Sequence, residues 1–201
     1  MARRPPNIDW TYEGAPDPLT GTGATWLEQT IFWFAGLGGA ALMLTFYFQG
    51  WIPWTWWQSI IAALIAFDLL GGAAAASLNS AKRWYFTPPK PNETGALRLL
   101  KSGYYLPAIQ VHPMLVYLLF RNADFWTGIG IYFSVGTVAI LVRAAPLYLA
   151  RPLAVTSLIA AILANAYLLR APAGFEWMLP VLVLKLVLRY GVREEPYRPG
   201  A

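Results

Sequence analysis

Apolar positions along this chain gather in long runs rather than alternating with polar ones. Six runs stand out, at about 30–49, 58–80, 103–120, 125–142, 152–169 and 176–191. Crossing a bilayer as a helix takes about 20 mostly apolar residues. The pattern therefore predicts an all-α, polytopic membrane helix bundle over residues 26–193, between a polar arm at 1–25 and a tail at 194–201. Thr25 and Glu28 have the spacing of a capping box at the head of the first run. Pro152 is expected to open the fifth, where its missing N–H costs nothing. Prolines in 81–95 read as a polar loop, and 96–102 as a short amphipathic helix lying on the membrane surface.

Composition strengthens this reading. Of 201 residues, 57% are hydrophobic and 12% charged, with a mean hydropathy of +0.45. Soluble domains average roughly 45–50% apolar and about 25% charged, so this chain lacks the charge to cover a water-exposed surface. Many of the 10 Trp and 11 Tyr sit at run ends, where amphipathic rings settle at the headgroup level. There is no cysteine, which excludes disulfides and thiolate chemistry. The arm has a basic start with no apolar stretch behind it, unlike a cleavable signal peptide.

Charge then sets the expected orientation. With the N-terminus inside, Arg3, Arg4, Lys82, Arg83, Lys90, Arg98, Lys101, Arg143, Arg151, Arg189, Arg193 and Arg198 fall inside, against Arg121 and Arg170 outside, twelve to two. That asymmetry predicts six crossings with both termini cytoplasmic. The net charge of +5 is read as topology and anionic-lipid contact, not nucleic-acid binding.

Ionisable residues inside the runs are the candidate chemistry. Asp68 lies about ten residues from the outer end of its run, or roughly 15 Å deep at a 1.5 Å rise. A charge at that depth costs at least about 2.5–3.5 kcal/mol, so it should face the bundle and find a partner. His112 and Lys185 come to similar depth and complete a polar centre at the midplane. Asp68, Gly72, Ala75 and Asn79 fall on one helical face, whose small residues admit a close neighbour. Gly36, Gly39 and Ala40 form a matching small patch on the first run. Pro107 and Pro113 bend the third span, where Gln110 or His112 is expected to help satisfy freed backbone groups. Asn165 reads as a helix–helix hydrogen bond, and Glu176 as an interface anchor or a gate toward Lys185. Either this centre is functional, as a proton relay or solute site, or Asp68–Lys185 is a structural ion pair.

No metal-binding, nucleophile-elbow or phosphate-loop motif is present, so no catalytic residues are assigned. No cofactor or metal is expected. His112 is the one available axial ligand for haem or chlorophyll, and the absence of a second histidine weighs against a b-type haem. The leading expectation is movement of a proton, ion or small solute through the centre. The alternative is a scaffold or assembly subunit of a membrane complex, with a partner protein or a second copy. The lipid bilayer is the expected surrounding in both.

Three stretches also resemble a known group. They are FDLLGGAAAASLNSAKRWYF at 67–86, LARPLAV at 149–155 and FEWMLPVLVLKLVLRYGVREEPYRP at 175–199. Together they are similar to a family of small, multi-spanning bacterial membrane proteins with no assigned activity. The resemblance spans 60–199 and implies a bacterial inner membrane. Phe86 departs from the family pattern, in which a histidine often follows K-R-W-Y. Glu194 and Glu195 are expected to pin the tail to inner basic residues by weak pairs, or to dock a cytoplasmic partner.

Overall fold

The structure is a computed structural model, and it describes residues 14–93, 95–121 and 124–193. All regular structure in the described residues is helical. Four helices are long and apolar enough to cross a membrane: α1 (Trp26–Phe48), α2 (Trp56–Ala76), α7 (Phe125–Ala144) and α8 (Leu147–Tyr167). Between them lie α3 (Asn79–Phe86), α4 (Ala96–Lys101), α5 (Tyr105–Ile109) and α6 (His112–Phe120). The C-terminal helix runs as α9 (Met178–Val183), a π segment (Leu184–Leu188) and α10 (Arg189–Gly191).

Large apolar side chains cover the outside: Phe34 and Trp126 are 80% exposed and Tyr167 81%. Only 22%, 28% and 17% of the apolar windows of α1, α7 and α8 are buried, against 61% of that of α2. A soluble protein could not show water this much contiguous apolar surface. The chain is a membrane-embedded helical protein, with α2 at its centre.

Small residues let α1 and α2 pack closely. A Cβ on Gly36 would meet the Phe67 ring at 2.9 Å, and one on Gly71 the Phe32 ring at 3.1 Å. Phe32 and Phe67 themselves meet edge-to-face at 5.9 Å. The Thr25–Glu28 capping box forms as read, with Glu28 N–H donating to Thr25 Oγ1 at 3.2 Å and Thr25 N–H to Glu28 Oε2 at 2.9 Å. Glu28 also accepts from Ser80 N–H at 3.3 Å, which fixes the start of α1 beside α3.

Contacts divide the helix ends into two sets. At the basic end, Lys82 donates to the carbonyls of Leu188 and Val192, and Arg143 to that of Tyr190. At the opposite end, Gln58 donates to the Leu119 carbonyl, Asn165 to that of Glu176, and Arg121 to that of Arg170. Trp54, Phe120 and Phe175 cluster there, with centroids 4.7–5.5 Å apart.

Several boundaries differ from the sequence reading, each for a local reason. The run 58–80 is not one helix. Its last turn tightens to Ser77 N–H→Ala74 O and Leu78 N–H→Ala75 O, the chain extends at Leu78, and α3 restarts at Asn79. Asn79 therefore leaves the Asp68–Gly72–Ala75 face. The run 103–120 is cut, not bent. Gln110 adopts φ −82°, ψ 66° and Val111 N–H donates to Ile109 O at 2.9 Å, an inverse γ-turn that occupies the carbonyl Pro113 would have left open. Pro152 lies inside α8 rather than opening it, because the helix starts at Leu147 after Pro146. A proline inside a membrane helix is tolerated where local adjustments serve the freed carbonyl.

The segment 81–95 is also not a solvated loop. Lys82, Arg83, Trp84, Tyr85 and Glu93 are all buried. Its closure turns on Glu93, which is 0% exposed and accepts from Trp84 Nε1 at 2.9 Å, Lys90 N–H at 2.9 Å and Lys101 Nζ at 2.6 Å. Burial lowers the Lys101 ammonium from its ordinary pKa, and Glu93 opposes that shift. Burial likewise pushes the Tyr85 phenol far above its ordinary range, and its hydroxyl donates to the Leu100 carbonyl. Part of the N-terminal arm packs down as well: Thr20 and Thr22 are buried, and Arg189 Nη2 donates to the Pro18 and Leu19 carbonyls at 2.9 Å. Residues 1–13 and the Glu194–Glu195 tail lie outside the described residues.

Candidate functional site

Asp68, His112 and Lys185 come together. Asp68 is twelve residues into α2 from Trp56 and eight from Ala76, which at a 1.5 Å rise is about 18 Å and about 12 Å. Lys185 Nζ reaches Asp68 Oδ2 at 2.5 Å, and His112 Nε2 lies 3.2 Å from the same oxygen. One carboxylate oxygen thus takes both partners. Gln110, which the sequence reading placed in support, proves a direct member: its Oε1 accepts from Lys185 Nζ at 3.0 Å.

Each side chain arrives for a structural reason. Lys185 sits in the π segment, where an extra residue per turn locally re-aims side chains. Its aliphatic stem passes over Gly72, where a Cβ would stand 2.5 Å from Lys185 Cε and 2.9 Å from Cδ. Gly72 is the space that Lys185 occupies. Gln110 is the central residue of the inverse γ-turn, and His112 is the first residue of α6, so both owe their place to the cut in the third apolar run.

Exposure is uneven across the centre. The Lys185 side chain is 3% exposed and His112 16%, whereas that of Asp68 is 48% exposed. Asp68 follows Ile60 and Leu64 at four-residue steps, and those two are 48% and 64% exposed. Its open side therefore belongs to the outer face of α2, flanked by the break at Gln110–Val111. His112 Nδ1 is buried with no hydrogen-bond partner. A buried polar atom left unpaired is rare and costly, and such atoms collect where chemistry or water has a use for them.

The other supporting residues named from sequence fall elsewhere. Asn165 bonds to a turn rather than to a second helix, its Nδ2 donating at 2.5 Å to the carbonyl of Glu176 just before α9. Glu176 is exposed in the turn before α9, nine residues ahead of Lys185. Asn79 is beyond the break after α2. Sequence reasoning missed the buried Glu93–Lys101 pair; the one signal was a lone acid in a basic, proline-rich stretch. Among the described residues, no group of three or more metal-ligating side chains is found.

Comparison with known protein families, with curated proteins and with solved structures finds no match. The family resemblance thus rests on its motifs alone.

Proposed function

We propose that this chain is a six-crossing protein of a bacterial inner membrane that moves a proton, a cation or a small polar solute by way of the Asp68 carboxylate. The observation that carries this reading is the asymmetry of the centre. Lys185 and His112 hold one carboxylate oxygen from the protein side, while the Asp68 side chain is 48% exposed on the other. A purely structural pair has no need of an open flank. Here an incoming proton or cation meets the carboxylate from the open side, Lys185 is the counter-charge, and His112, with Nδ1 unpaired, relays the proton inward. An intramembrane ionisable residue with a named partner is a functional site by default. An axial ligand to haem or chlorophyll would need a ring nitrogen facing the cofactor; Nε2 is turned to Asp68 and Nδ1 is buried.

Proteoliposomes loaded with a pH-sensitive dye test this. Asp68→Asn should abolish the proton-linked signal in a protein that still purifies as a single species. An undiminished signal overturns the reading. The assembly-subunit alternative has one observation in its favour, an apolar groove of about 600 Å³ along α7 and α8, lined with small side chains such as Gly130, Ser134, Ser157 and Ala161. Such surfaces admit a neighbouring helix. If Asp68→Asn and Lys185→Ala both fail to fold while the double variant recovers, the pair is structural and the alternative gains.

A further inference from the structure

At the basic end, independent of the polar centre, a cavity of about 560 Å³ opens between the α3–α4 segment, the α7–α8 turn and the end of the C-terminal helix. Arg98, Lys101, Arg143 and Arg193 line it, and no Asp or Glu is among its described lining residues. We propose that this cavity is a binding site for a phosphate group, carried by an anionic lipid headgroup or by a soluble phosphate ester.

Arg143 is built into the wall rather than trailing from the surface. Its Nη1 donates to the Tyr190 carbonyl at 2.9 Å, and its guanidinium lies 5.5 Å from the Phe86 ring centroid and 5.8 Å from that of Tyr104. A Cβ on Gly103 would collide with that guanidinium, so the glycine is what lets the α4–α5 turn approach it. A guanidinium carries five N–H donors, and one going to Tyr190 fixes the fork while others serve a ligand. Pre-oriented forks match the two oxygens of a phosphate better than a mobile ammonium does.

Lys101 is fixed on the opposite wall by Glu93 at 2.6 Å and the Thr87 carbonyl at 3.3 Å. Glu93 pairs with Lys101, while Arg98 is held by the Glu93 carbonyl and Arg143 by that of Tyr190, so both guanidinium groups bring positive charge to the cavity. Thr87 and Ser102 add hydroxyls, while Leu147 and Ala150 carry the wall onto α8 and so toward the bilayer. A basic pocket between helices at a membrane surface is the setting in which anionic headgroups bind.

The test uses the full chain in detergent with three probes: short-chain phosphatidylglycerol, diacylglycerol of the same chains, and glycerol 3-phosphate. Saturable binding of phosphatidylglycerol alone assigns a lipid headgroup. Binding of glycerol 3-phosphate assigns a soluble phosphate ester. Arg143→Gln should weaken the bound probe about tenfold or more, as expected for losing a charged hydrogen-bonding partner. Arg170→Gln, at the far end, should leave it within about twofold. Should Arg143→Gln not fold, the exposed pair Arg98→Gln and Arg193→Gln carries the same expectation. Equal loss in Arg170→Gln, equal binding of diacylglycerol, or no binding of either phosphate probe overturns the proposal.

Discussion

The two ends of the Asp68–Lys185 pair should not be equally costly to remove. Asp68→Asn leaves an ammonium whose side chain is 3% exposed, with only neutral acceptors, the Gln110 oxygen at 3.0 Å and the new amide oxygen, to hold it. Breaking a buried pair from one side costs about 3–5 kcal/mol, because the remaining charge stays desolvated. Lys185→Met leaves a carboxylate that is 48% exposed and keeps His112 at 3.2 Å. If water reaches that open flank, the loss is nearer the about 1–3 kcal/mol of an unpaired polar group. If hydrocarbon covers it, the stranded carboxylate costs as much as the stranded ammonium, or more. SDS-driven unfolding in mixed micelles, followed by the fluorescence of the 10 tryptophans, ranks the two variants. The expected order is Asp68→Asn the more destabilised, with the double variant milder than Asp68→Asn alone. A Lys185→Met loss equal to or above that of Asp68→Asn refutes a hydrated approach to the carboxylate, and the transport proposal with it. A double variant equal to the sum of the singles refutes the pairing itself.

Two further outcomes follow from packing. Gly72→Ala places a methyl 2.5 Å from Lys185 Cε and should cost about 1–3 kcal/mol in the same unfolding assay, whereas Gly38→Ala, with open space around its Cβ, should be neutral or stabilise α1 by up to about 1 kcal/mol. Glu93→Gln removes the carboxylate that pairs with the buried Lys101 ammonium and should expose the 87–95 stretch to limited proteolysis many-fold faster than in the unaltered chain; unchanged cleavage would show that Glu93 does not hold this segment closed.

Periodicity and hydropathy made the long elements legible before any coordinates. Apolar run lengths located α1, α2, α7 and α8, and the T-x-x-E spacing located the first cap. Depth counting placed Asp68, His112 and Lys185 at similar depth, because helices of known rise carry equal offsets to equal depth whichever way they run; the contact itself is seen only in the structure. What periodicity cannot see is a change of backbone within an apolar stretch. No glycine or proline falls between Gly72 and Pro88 to mark the end of α2, and the chain turns there on i→i+3 bonds instead. Composition misled at 81–95 for a related reason. Polar residues there are paired with one another and with helix-end carbonyls, so they are buried although each one alone prefers water.

The irregular backbone and the polar centre have a common cause. In a bilayer every backbone N–H and C=O must be served internally, so departures from the α-helix are confined to protein-lined positions. Two departures, the inverse γ-turn at Gln110 and the π segment at Leu184–Leu188, both supply partners to the centre on Asp68. Uninterrupted helices would present one side chain per turn toward α2, about 5.4 Å apart along the axis. The γ-turn instead brings Gln110 to Lys185 and His112 to Asp68 from positions two residues apart. The π segment turns Lys185 over Gly72 onto the same oxygen. A bundle needing only an ion pair to fix helix register could place it between two regular helices. The two backbone irregularities are accounted for by a site that holds four polar groups on one point while leaving one side of Asp68 open.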